Sequence, residues 1–206
     1  MRTNVNKSIT LRIIELLCSL LPAIFWGLVI LGFEESSAAA STLLSALIHE
    51  CGHIVYILLN RKNRLSIRGV ISGFRIKASA PLSYDEEMGR YFAGPIANIL
   101  TFVLSLLLWK RLGNFFLIFA TINLATGLSN LLPIRGYDGY GILRTFIEKQ
   151  ELGYRALKAL GWISSFLIFA LCILSLYLID RYGGGYWIFA VFFVSMIKEF
   201  QVGLGE

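Results

Sequence analysis

His49-Glu50-Cys51-Gly52-His53 is the segment whose residue types and spacing are fit for chemistry. On an α-helix, positions i and i+4 lie about 40° apart around the axis. His49 and His53 therefore project from one face and can share one metal ion. Glu50 stands three residues before His53, beside that face, where it can take a proton from a water at the metal. This is the H-E-x-x-H pattern, in which two imidazoles hold zinc and the glutamate serves as general base. These are also the only two histidines in the chain. In a soluble helix the pattern is often accidental, because His and Glu are ordinary surface residues. Here it lies in an otherwise uncharged apolar run, where ionisable groups are expensive and mark functional pathways. Cys51 is two positions from either histidine and points off the ligand face.

Two histidines do not complete a catalytic zinc site, which usually takes three protein ligands, the third often a carboxylate, and keeps one open position. Among the acidic residues Asp138 stands out. It lies in Asn130-Leu131-Leu132-Pro133-Ile134-Arg135-Gly136-Tyr137-Asp138-Gly139, just after a later apolar run. Pro133 blocks helix continuation, and Gly136 and Gly139 permit turns. Read alone, Asp138-Gly139 is a plain loop turn. Beside the histidine pair, it is expected to be the third ligand, since irregular backbone at membrane depth is tolerated only where it is buried in protein or lines a cavity.

These residues need elements to hold them. The 206 residues are 56% hydrophobic and only 16% charged, with a mean hydropathy of +0.69. Soluble chains carry about a quarter charged residues. A bilayer core of about 30 Å is crossed by about 20 apolar residues in a helix. Six such runs are expected, at about residues 13–32, 38–59, 91–109, 115–132, 157–179 and 186–197, the last being short. The expected fold is thus an all-α polytopic membrane protein, with one membrane-embedded domain over residues 1–206. Arg2, Lys7 and Arg12 precede the first run in the manner of a signal peptide, but that run is too long and lacks a small-residue cleavage site.

Alternating the spans from a cytoplasmic N-terminus puts sixteen of the nineteen basic residues on the cytoplasmic side. That is the orientation the positive-inside rule selects, and it places both termini in the cytoplasm. The net charge of +6 is explained by basic residues flanking the apolar runs, where they meet lipid headgroups, so the bilayer rather than nucleic acid is the expected partner. Cys18, Cys51 and Cys172 all fall inside apolar runs and suggest no disulfide framework. Two connections are unusual. Residues 64–80, rich in β-branched side chains and broken by Gly69 and Gly73, predict a short membrane-associated β segment. Residues 138–157 place Ile142, Leu143, Phe146 and Ile147 at helical spacing among charges, which predicts an amphipathic helix along the interface.

The H-E-x-G-H segment and the N-x-x-P-x-x-x-x-D-G segment together resemble the site-2 protease family of intramembrane zinc metalloproteases. Gly94-Pro95-Ile96-Ala97-Asn98 is similar to that family's Gly-x-x-x-Asn segment. The match covers about residues 38–139, and it implies a three-helix catalytic core with one zinc per chain towards the cytoplasmic side. Among the family's forms the chain resembles the compact six-span ones, including the subgroup that processes a sporulation sigma-factor precursor. The resemblance implies a prokaryotic cytoplasmic membrane, a membrane-spanning protein as substrate and a membrane regulatory subunit as a further partner. The 206 residues are not expected to hold the PDZ or nucleotide-sensing modules that many relatives carry.

Zinc held by His49, His53 and Asp138, with Glu50 as base, implies peptide hydrolysis. A helical substrate hides its carbonyls, so it must extend near the metal, and residues 64–80 can pair with it as an added strand. Asn98 and Asn130 carry amides able to bond an extended backbone or a neighbouring helix; the resemblance favours substrate binding. A zinc transporter would scatter its ligands over several helices without needing Glu50. A non-catalytic binder of membrane helices would tolerate loss of Glu50 or Asp138, and both are intact. Tyr137 and Tyr140 can touch substrate or anchor the interface, and the sequence does not choose.

Overall fold

The computed structural model describes residues 36–59, 65–70, 73–78, 82–183 and 186–203. Its helices are α1 (Ser36–Leu59), α2 (Tyr84–Leu112), α3 (Phe115–Asn130), α4 (Asp138–Lys149), α5 (Gly153–Tyr182) and α6 (Tyr186–Gly203). Between α1 and α2, strands β1 (Leu65–Val70) and β2 (Gly73–Ala78) pair antiparallel, with Leu65 opposite Ala78 and Val70 opposite Gly73. The span expected at residues 13–32 lies outside the described residues.

Among the described residues, three helices are long and apolar enough to cross a membrane: Ser37–Leu59, Tyr84–Leu112 and Gly153–Tyr182. The run expected to span 115–132 forms the 16-residue α3, about 24 Å long, which ends at Asn130. It stops there because Leu131 and Leu132 turn back in short bonds to Leu128 and Ser129, and Pro133 follows. Helix α2 starts at Tyr84, seven residues before the apolar run begins. Ser83 caps it, and Glu86 bonds back to the Ser83 backbone in a capping box, so a polar turn of Asp85, Glu86 and Glu87 precedes the apolar stretch. Apolar length alone does not see such a turn.

Helices α1, α2 and α3 pack on one another as the central layer. Gly52 brings α1 against α2, since a Cβ there would lie 2.6 Å from the Ala93 carbonyl oxygen and 2.8 Å from the Ala97 Cβ. Small residues at such crossings let backbones approach where lipid removes the hydrophobic incentive to associate. The interior is accordingly polar. Ser41, Ser45, Asn98, Asn123 and Ser164 are fully buried, whereas Leu104, Leu107, Trp162 and Phe166 face outward. The amphipathic helix expected over 138–157 is α4, and it lies on α2 and α5. It ends at Lys149, because Glu151 and Gly153 take positive φ and turn the chain into α5.

Candidate metal centre

His49 and His53 sit one turn apart on the buried face of α1, and their Nε2 atoms are 3.2 Å apart. Each ring is oriented from behind. The His49 Nδ1–H donates to Asn98 Oδ1 at 2.7 Å, and the His53 Nδ1–H donates to the Arg90 carbonyl at 2.8 Å. Both partners on α2 are oxygen acceptors, so the protons belong on Nδ1 and both Nε2 atoms are left with bare lone pairs. The Asn98 amide cannot be turned round. Its Nδ2 donates to the Ser45 carbonyl, to Ser45 Oγ and to Asn123 Oδ1, and Asn123 in turn donates to the Phe119 carbonyl. A buried polar chain through all three central helices thereby fixes the tautomer of His49.

Asp138 opens α4 and completes the cluster. Its Oδ2 lies 3.0 Å from His49 Nε2 and 3.4 Å from His53 Nε2. A carboxylate in the first turn of a helix also faces the positive end of the helix dipole. Gly139 allows this placement, because a Cβ there would collide with the carbonyls of Leu131 and Leu132. Gly94 on α2 closes the cradle. A Cβ on it would lie 2.5 Å from His53 Nε2 and 2.7 Å from His49 Nε2, so only glycine leaves the donor atoms their space.

The three donors fit a metal ion. Two bare imidazole nitrogens and one carboxylate oxygen converge, and Asp138 Oδ2 is buried without a hydrogen-bond partner. Their separations of 3.0–3.4 Å match the edges of a tetrahedron whose centre lies about 2 Å from each corner. A proton on one imidazole would satisfy one pair, whereas a cation satisfies all three. His49, His53 and Asp138 form the one group of three or more possible metal-ligating side chains among the described residues.

Glu50 lies beside the donors without joining them. It is half-buried on α1, adjacent to His49 in the chain and within electrostatic reach of Asp138. Asn98 departs from the substrate role expected of it. It is fully buried, with its oxygen on His49 Nδ1 and its N–H groups on Ser45 and Asn123, so its amide orients His49. Asn130 ends α3 half-buried and donates to the Thr126 carbonyl of its own helix. Cys51 is exposed, away from the donors.

Sequence reasoning missed Asn123, Ser45 and the Arg90 carbonyl. Asn123 carries no spacing signal, and a backbone carbonyl carries none at all. Gly94 stood in the Gly-x-x-x-Asn segment, but its residue type alone does not say that it lies against the two imidazoles.

No protein-family model matches the chain, and no curated protein sequence matches it. Among solved structures the chain is similar to the site-2 protease from Methanocaldococcus jannaschii, with a TM-score of 0.65 at 19% identity, over 88% of this chain and 87% of that one. At that identity the likeness is one of fold.

Proposed function

We propose that this chain is a zinc metalloprotease of the site-2 protease family, which hydrolyses peptide bonds of membrane-spanning proteins near the cytoplasmic side. One observation carries the reading: two imidazoles held with bare Nε2 atoms face the orphaned oxygen of Asp138 inside a bundle of apolar helices. The fold shared with a site-2 protease supports it.

One zinc per chain, when bound, would supply Lewis acidity to the peptide carbonyl and to the attacking water. His49, His53 and Asp138 would hold it, with Asn98 and the Arg90 carbonyl keeping the imidazoles turned. Glu50 accepts the water's proton as the oxygen attacks the carbonyl carbon, then gives that proton to the leaving amine as the C–N bond breaks. The amide oxygen of Asn130 would accept an N–H from the extended substrate. The β1–β2 ribbon would offer it an added strand. The whole of residues 1–206 would be one membrane-embedded protease domain with its catalytic core at about 38–139, in a prokaryotic cytoplasmic membrane beside a regulatory subunit.

The test is to combine the purified chain in lipid with single-span membrane proteins from its own organism. Cleavage should occur, stop on zinc chelation and return with about one equivalent of zinc per chain. Cleavage indifferent to chelation would end the metalloprotease reading, and zinc flux across the vesicle without any cleavage would replace it with a transporter.

Orientation follows from the bias of Lys and Arg. Tags at Met1, near Arg68 and at Glu206 should be reachable only from the cytoplasm, and one near Glu34 only from outside. A cytoplasmic signal at Glu34 would reverse the orientation and move the centre to the other face.

A further inference from the structure

Asp138 depends for its place on the seven residues before it, and those residues make few backbone ties to the rest of the protein. Their own bonds are short local turns: Leu131 to Leu128, Leu132 to Ser129, Ile134 to Leu132 and Tyr137 to Ile134. Gly136 adds a positive φ of 92°. Arg135 joins the segment to its neighbours. Its backbone N–H donates to Ser164 Oγ on α5 at 2.8 Å, and its guanidinium donates to Glu199 Oε1 on α6 at 2.9 Å and to the Tyr140 hydroxyl at 3.3 Å.

Both partners receive Arg135 in a built notch. A Cβ on Gly161 of α5 would strike the guanidinium, so a glycine makes the room. One turn along α5 from Gly161, Ser164 donates to Glu199 Oε2 at 3.1 Å and Ser165 donates to Glu199 Oε1 at 2.8 Å. The Glu199 side chain is only 6% exposed, yet each of its oxygens is bonded. Two residues on, Tyr137 hydrogen-bonds Ser195, one helical turn before Glu199 on α6. The two residues flanking Gly136 are thus tied to one face of α6, immediately before the metal-ligating position. Helix α6 otherwise packs on α5.

We propose that Arg135 and Glu199 are positioning residues for Asp138: their largely buried ion pair pins the 131–137 segment to α5 and α6 and so sets where the carboxylate meets the two imidazoles. Neither is among the converging donors. The pair acts on the third ligand through the two residues Gly136 and Tyr137, and it makes α6 part of the centre's support. A buried ion pair is weak support for stability, because apolar side chains of similar volume often do as well or better. Holding a loop in one geometry is a use that apolar packing does not replace, and outer-shell partners of metal ligands typically govern affinity by about 10–100-fold.

The inference rests on His49, His53 and Asp138 being a metal site, and the experiment separates the two. Full-length protein in detergent is stripped of metal and titrated with Co2+, read by the visible absorption of the bound ion, by competition with a chelator and by thermal melting. Glu199→Gln keeps the side-chain volume but removes the charge. The double variant Arg135→Met, Glu199→Met removes both charges at once. Each should bind Co2+ at least about 10-fold more weakly than the parent, with a shifted absorption band. Arg135→Lys, which keeps the charge, should lose less. The double variant should melt near the parent while still binding weakly, an outcome that a merely structural pair does not produce. Parent-like affinity and absorption in the folded double variant would overturn the proposal. Should that variant not fold, Glu199→Gln decides by the same two readouts. A parent that binds no Co2+ would overturn the metal centre itself, and this inference with it.

Discussion

Glu50→Gln is expected to yield a folded, zinc-loaded protein that binds its substrate and does not cut it. Glu50 is not among the converging donors, so replacing its carboxylate by a nearly isosteric amide removes no ligand. What is lost is the carboxylate next to His49 that is proposed to take the water's proton. General-base contributions are typically about 10²–10⁴-fold, which is about 3–5 kcal/mol of barrier. Loss of a negative charge beside the centre adds to that. Cleavage of a co-expressed membrane substrate should fall below detection, while zinc content and melting stay at parental values and uncut substrate co-purifies. Retained cleavage by a zinc-loaded Glu50→Gln protein would remove Glu50 from the chemistry and leave the base unidentified.

Zinc occupancy should collapse by two independent routes. Asp138→Ala, like His49→Ala or His53→Ala, deletes one of three donors and leaves a two-ligand site. Gly94→Ala deletes none. Its added Cβ would stand 2.5 Å from His53 Nε2 and 2.7 Å from both His49 Nε2 and Cε1, so the rings must swing aside or α1 and α2 must part. The backbone on either side is closely packed through Gly52 against Ala93 and Ala97, and parting is therefore costly. Metal content after dialysis against a weak chelator should drop well below one zinc per chain in all four variants, with at least about a 10-fold loss of affinity for Gly94→Ala. Full occupancy in Asp138→Ala would remove that residue from the ligand set. Full occupancy in Gly94→Ala would show that the two helices separate freely.

The pair of histidines and Glu50 were legible in the sequence because their relation is local. Four residues of helix put His49 and His53 on one face wherever that helix lies, and an uncharged apolar run made the coincidence expensive. Asp138 was legible only by association: Pro133 and Gly136 announced a turn, but nothing in the segment states which other helix it meets. Apolar length marked out α1, α2 and α5, and it placed the beginning of α2 seven residues late, because a capping box is polar.

The tertiary structure decided what depends on partners distant along the chain. Asn98 has the same residue type whether it faces a peptide or a ring; forty-nine residues separate it from His49, and only packing shows that its oxygen is taken. The bare Nε2 atoms follow from that contact and from the Arg90 carbonyl, thirty-seven residues from His53. Arg135 and Glu199 stand 64 residues apart, one in a turn and one near the end of an apolar run, and neither position hints at the other. Helical periodicity is a property of neighbouring residues and can be read from their order. Which donors converge, and which tautomer each imidazole holds, depends on how separate helices pack, and in this protein small residues such as Gly52 and Gly94 set that approach.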